Sequence, residues 1–251
     1  MQEIIPTSYN FGLVIFSFVI AALGSYIALS ATDKLRSTQG IKHTRQILMA
    51  GIALGGIGVW SMHFIGMLSL QLPLGISYSI GETIISLIAA IAASAWGLSI
   101  VAVNPKSWVR LLIAGAILGL GVSAMHYVGM YGMRFGGFFL WSAPLVLLSV
   151  LIAFIAATAA LWLAFNTPTS HARLWAALLM AVAVCAMHYT GMTAAEIICT
   201  TTERLAIPSG ATMISSLQLP ILVISLIAGM IIAIGIDVMY NPHTQKRREM
   251  A

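Results

Sequence analysis

Seven long apolar stretches dominate the chain, near Asn10–Ala31, Gln46–Leu70, Ser79–Val103, Leu111–Met133, Ser142–Phe165, Leu174–Cys199 and Leu219–Met239. Each is long enough to cross a hydrocarbon core roughly 30 Å thick as a helix of about 20 residues. The composition agrees: 60% of residues are hydrophobic, 8% are charged and the mean hydropathy is +0.98. A soluble domain of this length would carry roughly a quarter charged residues. The expectation is an all-α membrane protein, one domain over residues 1–251, with the lipid bilayer as its first partner. The first stretch reads as a spanning helix and not a signal peptide, because Met1–Asn10 has no basic segment and carries Glu3.

Lysine and arginine gather in cytoplasmic loops, and that rule sets the orientation. Lys34, Arg36, Lys42 and Arg45 follow the first stretch, Lys106 and Arg110 follow the third, and Arg173 follows the fifth. Residues 241–251 form a short basic tail with Lys246, Arg247 and Arg248. The other side holds Glu3, Glu196 and Glu203, with Arg134 and Arg204 as its basic residues. The N-terminus is therefore expected outside and the C-terminus inside. The net charge of +5 reflects this topology and does not point to nucleic acid. The tail is placed to touch anionic lipid heads.

A histidine lies between two methionines at the same spacing three times: Met62-His63-Phe64-Ile65-Gly66-Met67, Met125-His126-Tyr127-Val128-Gly129-Met130 and Met187-His188-Tyr189-Thr190-Gly191-Met192. Each histidine follows its basic loop by enough residues to stand roughly 22–27 Å above it on a helix. All three should reach one depth, toward the extracytoplasmic face. His43, His171 and His243 fall in loops or the tail and read as solvated. His63 shares a helical face with Met67, His126 with Met130 and His188 with Met192; the preceding methionines Met62, Met125 and Met187 lie about 100° round. Imidazole with thioether selects a soft or borderline ion, so copper is the first expectation. Zinc, in a three-histidine site of a membrane hydrolase, is an alternative that needs a base such as Glu196. Haem with histidine or methionine axial ligands is another. A retinal Schiff base is disfavoured, since the seventh stretch has no lysine.

The repeat is wider than the motif. Its unit is an ingoing helix with a hydroxyl early and small residues one to two turns later (Ser17 to Ser25, Ser86 to Ser94, Ser149 to Thr158), a basic turn, and an outgoing helix ending in Met-His. The seventh stretch restarts the texture at Ile224-Ser225. Gly51, Gly55, Gly115 and Gly119 suit close helix packing, and Gly66, Gly129 and Gly191 admit a neighbour near each histidine. Met133 is expected to add a thioether on the face of His126, and Cys185 stands one turn below His188. Cys185 and Cys199, about 21 Å apart on one helix, cannot bridge. Phe64, Tyr127 and Tyr189 read as interfacial belt residues. Glu82 suits a helix N-terminus, and Asp237 a basic loop.

The triple Met-His-aromatic-x-Gly-Met pattern in a seven-helix unit resembles the MHYT domain of bacterial membrane signalling proteins. Met187-His188-Tyr189-Thr190 spells the motif in full, while the other two copies keep the histidine and both methionines. The resemblance implies a sensor in the bacterial inner membrane that binds copper near the outer face and, through it, oxygen, carbon monoxide or nitric oxide. It also implies a cytoplasmic signalling partner, such as a cyclic-di-GMP enzyme or a kinase. Such domains are usually followed by an output module, and here the sequence ends about ten residues after the seventh stretch. A non-enzymatic sensor, stand-alone or excised, is the expectation.

Overall fold

The computed structural model describes residues 3–35, 41–167 and 169–240. Arg36 and the basic tail, including His243, lie outside the described residues. The seven stretches form helices α1 (Phe11–Leu35), α2, α3 (Ile80–Val103), α4 (Trp108–Tyr131), α5 (Ala143–Asn166), α6 (Ser170–Thr193) and α7 (Leu219–Tyr240). Helix α2 is composite: α-helical over Ile41–Gly51, π-helical over Ile52–Ser61, then α-helical again over Met62–Ser69. All seven are long and apolar enough to cross a membrane. Burial follows position in the bundle. In its most apolar window α2 is 78% buried, α7 only 17%, so α2 runs through the centre and α7 lies against the outside.

Small residues let the helices close. A side chain at Gly55 would run into the Ala90 carbonyl group and Ser94 of α3, one at Gly51 into Ala95, one at Gly115 into Thr158, and one at Gly119 into Phe154. These four glycines mark the α2–α3 and α4–α5 contacts, as their spacing predicts. At one end Arg45 of α2 pairs with Asp237 of α7. Because Asp237 is buried, this contact ties the peripheral helix to the central one and fulfils the expected basic-loop pairing.

Short strands cap the opposite end, and the hydropathy of the sequence did not foretell them. They are β1 (Glu3–Ile4), β2 (Ser8–Tyr9), β3 (Leu70–Gln71), β4 (Ser77–Ser79), β5 (Met133–Arg134), β6 (Gly137–Trp141), β7 (Ala195–Cys199) and β8 (Met213–Ser215). In every repeat the strand after the outgoing helix pairs antiparallel with the strand before the ingoing one: β3 with β2, β5 with β4, β7 with β6. The register repeats too. Tyr9 faces Leu70, Tyr78 faces Met133 and Trp141 faces Ala195, each partner being seven residues past its histidine. The pairing satisfies backbone groups that helix ends leave open.

Two helix expectations need correcting. The sixth helix ends at Thr193, and Ala195–Cys199 is strand β7, so Cys185 and Cys199 do not share a helix. Met133 sits on strand β5, so the helical spacing that put it on the face of His126 does not apply. Ser225, expected to repeat the odd-helix hydroxyl, is exposed, whereas Ser17, Ser86 and Ser149 are fully buried. Among the described residues no outgoing helix follows α7 to turn that face inward.

Candidate metal centre

His63, His126 and His188 meet at the strand-capped end of the bundle, fully buried. Their Nδ1 atoms form a triangle: 3.1 Å from His63 to His188, 3.1 Å from His126 to His63, and 3.2 Å from His188 to His126. The rings stand edge to face, with centroids 5.0, 5.0 and 5.1 Å apart. The three outgoing helices, α2 over residues 41–69, α4 over Trp108–Tyr131 and α6 over Ser170–Thr193, deliver the rings to one level near their strand-capped ends, as the similar spacing from each basic turn predicts.

The triangle cannot satisfy itself. An Nδ1 atom carries either a proton or a lone pair, never both. Hydrogen bonds round a ring of three would need donors and acceptors to alternate, and an odd ring cannot alternate. At least one contact must set like against like, in a site without water access. A single cation facing three lone pairs removes the conflict. The separations also fit three corners of a tetrahedron round an ion with metal–nitrogen bonds of about 2 Å.

The far nitrogens complete a cyclic lock. A Cβ at Gly129 would collide with Nε2 of His63, one at Gly191 with Nε2 of His126, and one at Gly66 with Nε2 of His188. Each histidine thus lies against the glycine of the next repeat, and only glycine leaves room for it. Among the described residues the three Nε2 atoms are buried with no partner in good hydrogen-bond geometry. Coordination at Nδ1 would fix the proton on Nε2, the atom that faces glycine.

A second layer holds the rings, and it corrects the belt reading for Phe64, which is fully buried, while Tyr127 and Tyr189 are half-buried. Phe64, Tyr127 and Tyr189 each pack edge-on against their own histidine, with centroids 4.8 Å apart. Tyr78, Trp141 and Tyr9 of the strands cap them in turn at 6.3, 5.4 and 5.9 Å. Tyr189 OH stands 3.0 Å from Ser17 Oγ, and Tyr127 OH 2.5 Å from Ser149 Oγ. Those serines donate to Val14 and Val146 carbonyl oxygens, so the tyrosines are the donors. Phe64 has no hydroxyl; Trp60 Nε1 takes its place and donates to Ser86 Oγ at 3.0 Å. The buried odd-helix serines were legible as a repeat, but their partners were not.

All six motif methionines are buried. Met62 packs with Ala21 and Ala181, while Met67, Met125, Met130, Met187 and Met192 belong to the main core. Among the described residues no carboxylate or thiol joins the three histidines. Cys185 packs in the cluster of Met62 and Ala21. Glu196 is exposed on β7 opposite Leu140, away from any role as a base in a zinc hydrolase. Glu82, at the start of α3, accepts from Ser79 and pairs with Arg134. Imidazole nitrogens this close stand on one side of an ion, which does not suit ligands flanking a porphyrin plane.

Residues 56–115 and 119–177 match the family model described as MHYT, bacterial signalling protein N terminal repeat. Over 195 residues the chain is 39% identical to the bifunctional diguanylate cyclase/cyclic di-GMP phosphodiesterase MucR of Pseudomonas aeruginosa, covering 76% of this chain and 28% of that protein. It is 34% identical to the cyclic di-GMP phosphodiesterase NbdA of the same organism, over 74% of this chain and 24% of that protein. To the signaling protein YkoW of Bacillus subtilis it is 29% identical, over 76% of this chain and 24% of that one. The chain spans about a quarter of the length of these relatives, and no solved structure matches it. With its seven helices, its threefold Met-His repeat and these matches, the chain belongs to the MHYT family of membrane-spanning bacterial signalling domains.

Proposed function

We propose that this sensory domain holds a metal ion, copper in the first instance, on Nδ1 of His63, His126 and His188. The observation that carries the reading is the buried, odd-membered ring of nitrogens, which a cation satisfies and hydrogen bonding cannot. Three nitrogens hold the ion on one side, and a buried apolar surround limits competing water. Met67, Met130 and Met192 follow their histidines by four residues, about one helical turn, and such thioethers favour copper over harder ions. Zinc remains the second choice on the nitrogen set alone.

The bound ion would supply an open coordination position for a diatomic gas, oxygen, carbon monoxide or nitric oxide. The protein's own residues then convert binding into movement. Each histidine is wedged between its motif aromatic and the glycine of the next repeat, so a shift of one ring presses on another outgoing helix. The Arg45–Asp237 pair passes a displacement of α2 to α7, the last of the described helices. We place the histidine end at the periplasmic face and the C-terminus in the cytoplasm. Arg45, Lys106, Arg110 and Arg173 gather at the end where the outgoing helices start, against Arg134 and Arg204 at the histidine end, which accords with the positive-inside rule. The names of MucR and NbdA support cyclic-di-GMP turnover as the process that this domain controls, through an attached or separate partner.

Metal analysis and carbon monoxide difference spectra of the purified protein, beside a triple His63→Ala, His126→Ala, His188→Ala variant, test the reading. Metal and a carbon monoxide signal in the wild type alone are expected. Equal metal content in the two proteins would refute it.

A further inference from the structure

A partly open cavity of about 30 Å³ lies between α2, α4, α5 and α6. Val59, Val122 and Val184 line it, and each is four residues before a motif histidine. Four residues are one helical turn, so this end of the cavity lies about 6 Å along the axis from the histidine triangle. Met187, the residue next to His188, also lines it. Leu118 and Met180, a further turn down, form the opposite end. Along α5 the wall is Ala153, Ala156, Ala157 and Ala160, where any larger side chain would fill the space.

We propose that this cavity is a binding site for one small apolar molecule of diatomic size, entering from the hydrocarbon side of the bundle. Its volume corresponds to about two water-sized spheres. Water is a poor occupant, because a buried water needs about two to four polar partners and every lining side chain is apolar. A lipid tail is too large. Apolar gases dissolve in the bilayer interior, and the outer face of α5 presents Leu151 and Ile155 to it, both exposed. The position, about one helical turn below the histidine of each outgoing helix, makes the cavity an antechamber to the histidines. That link rests on the metal-site reading above; occupancy of the cavity does not.

Xenon is the probe for the cavity, since it enters dry apolar voids without coordinating metal. Exchange-detected xenon NMR of the full chain in nanodiscs should give a saturable signal, with or without copper. Ala157→Leu should abolish that signal, and Val184→Ala, which enlarges the space, should strengthen it. The absence of a saturable signal from folded wild-type protein would overturn the proposal. An unchanged signal in Val184→Ala would do the same, even if Ala157→Leu fails to fold. In the copper-loaded protein, Ala157→Leu should slow carbon monoxide association at unaltered metal content; an unaltered rate would break the antechamber link. Wild-type protein that takes xenon but no carbon monoxide would count against the metal-site reading and leave the cavity site standing.

Discussion

Replacing Gly129 with alanine tests how tightly the repeats hold one another's histidines. A Cβ there would stand 3.0 Å from His63 Cδ2 and 3.3 Å from Cε1, and nearer still to Nε2. Carbon contacts settle at about 3.5–4.0 Å, so the ring must withdraw by about 1 Å. Metal–ligand distances tolerate only about 0.2 Å of error. Nδ1 of His63, now 3.1 Å from each of its partners, would therefore leave the set. Loss of such a support is expected to weaken metal binding by about 10- to 100-fold. The overpacking itself should cost about 1–3 kcal/mol of stability. Chelator competition measures the first effect, and thermal melts in the same detergent measure the second. Gly229→Ala is the control, because a Cβ there meets nothing within 4 Å. In a His63→Ala background, where the ring is gone, Gly129→Ala should have no further effect on metal binding. If Gly129→Ala binds metal as tightly as Gly229→Ala does, the interlocked-ring argument is wrong.

Tyr127→Phe and Tyr189→Phe should each cost about 0.5–1.5 kcal/mol in thermal unfolding, the worth of one hydrogen bond, because Ser149 and Ser17 keep their carbonyl acceptors. Arg45→Ala strands a buried carboxylate and should lower the melting temperature, and adding Asp237→Asn should recover most of the loss; a double variant no better than the single one would dispose of the pair's role. Burial pushes the Tyr78 phenol above its ordinary value. The unfolded chain then loses that proton first as pH rises, so stability should be intact below pH about 10 and decline above it. Melting curves across that range should show a weaker decline for Tyr78→Phe.

The fold was legible in the sequence wherever hydrocarbon leaves the backbone no choice. Seven helices and their order follow from apolar length, and the Gly51, Gly55, Gly115 and Gly119 contacts follow from the need for close approach in a bundle without hydrophobic drive. The shared depth of the histidines also followed, since each stands a similar number of residues beyond a basic turn. The strands were not legible. Segments such as Leu70–Gln71 and Met133–Arg134 are two residues long, too short for alternation to register, and their pairing is tertiary. Apolar length therefore runs the sixth helix on to Cys199, and helical spacing puts Met133 on the face of His126. The layer of Phe64, Tyr127 and Tyr189 escaped for a different reason. An aromatic residue near the end of a spanning helix has the same sequence signature whether it faces lipid or a neighbouring ring, and only the positions of Ser17, Ser149 and Trp60 decide between them.

X-ray absorption at the metal edge of protein purified with its native ion tests the central claim most directly. A ligand shell with three imidazole nitrogens at about 2 Å, lost when His63, His126 and His188 are all alanine, is the predicted result. A shell without imidazole, or one that survives the triple substitution, would contradict it.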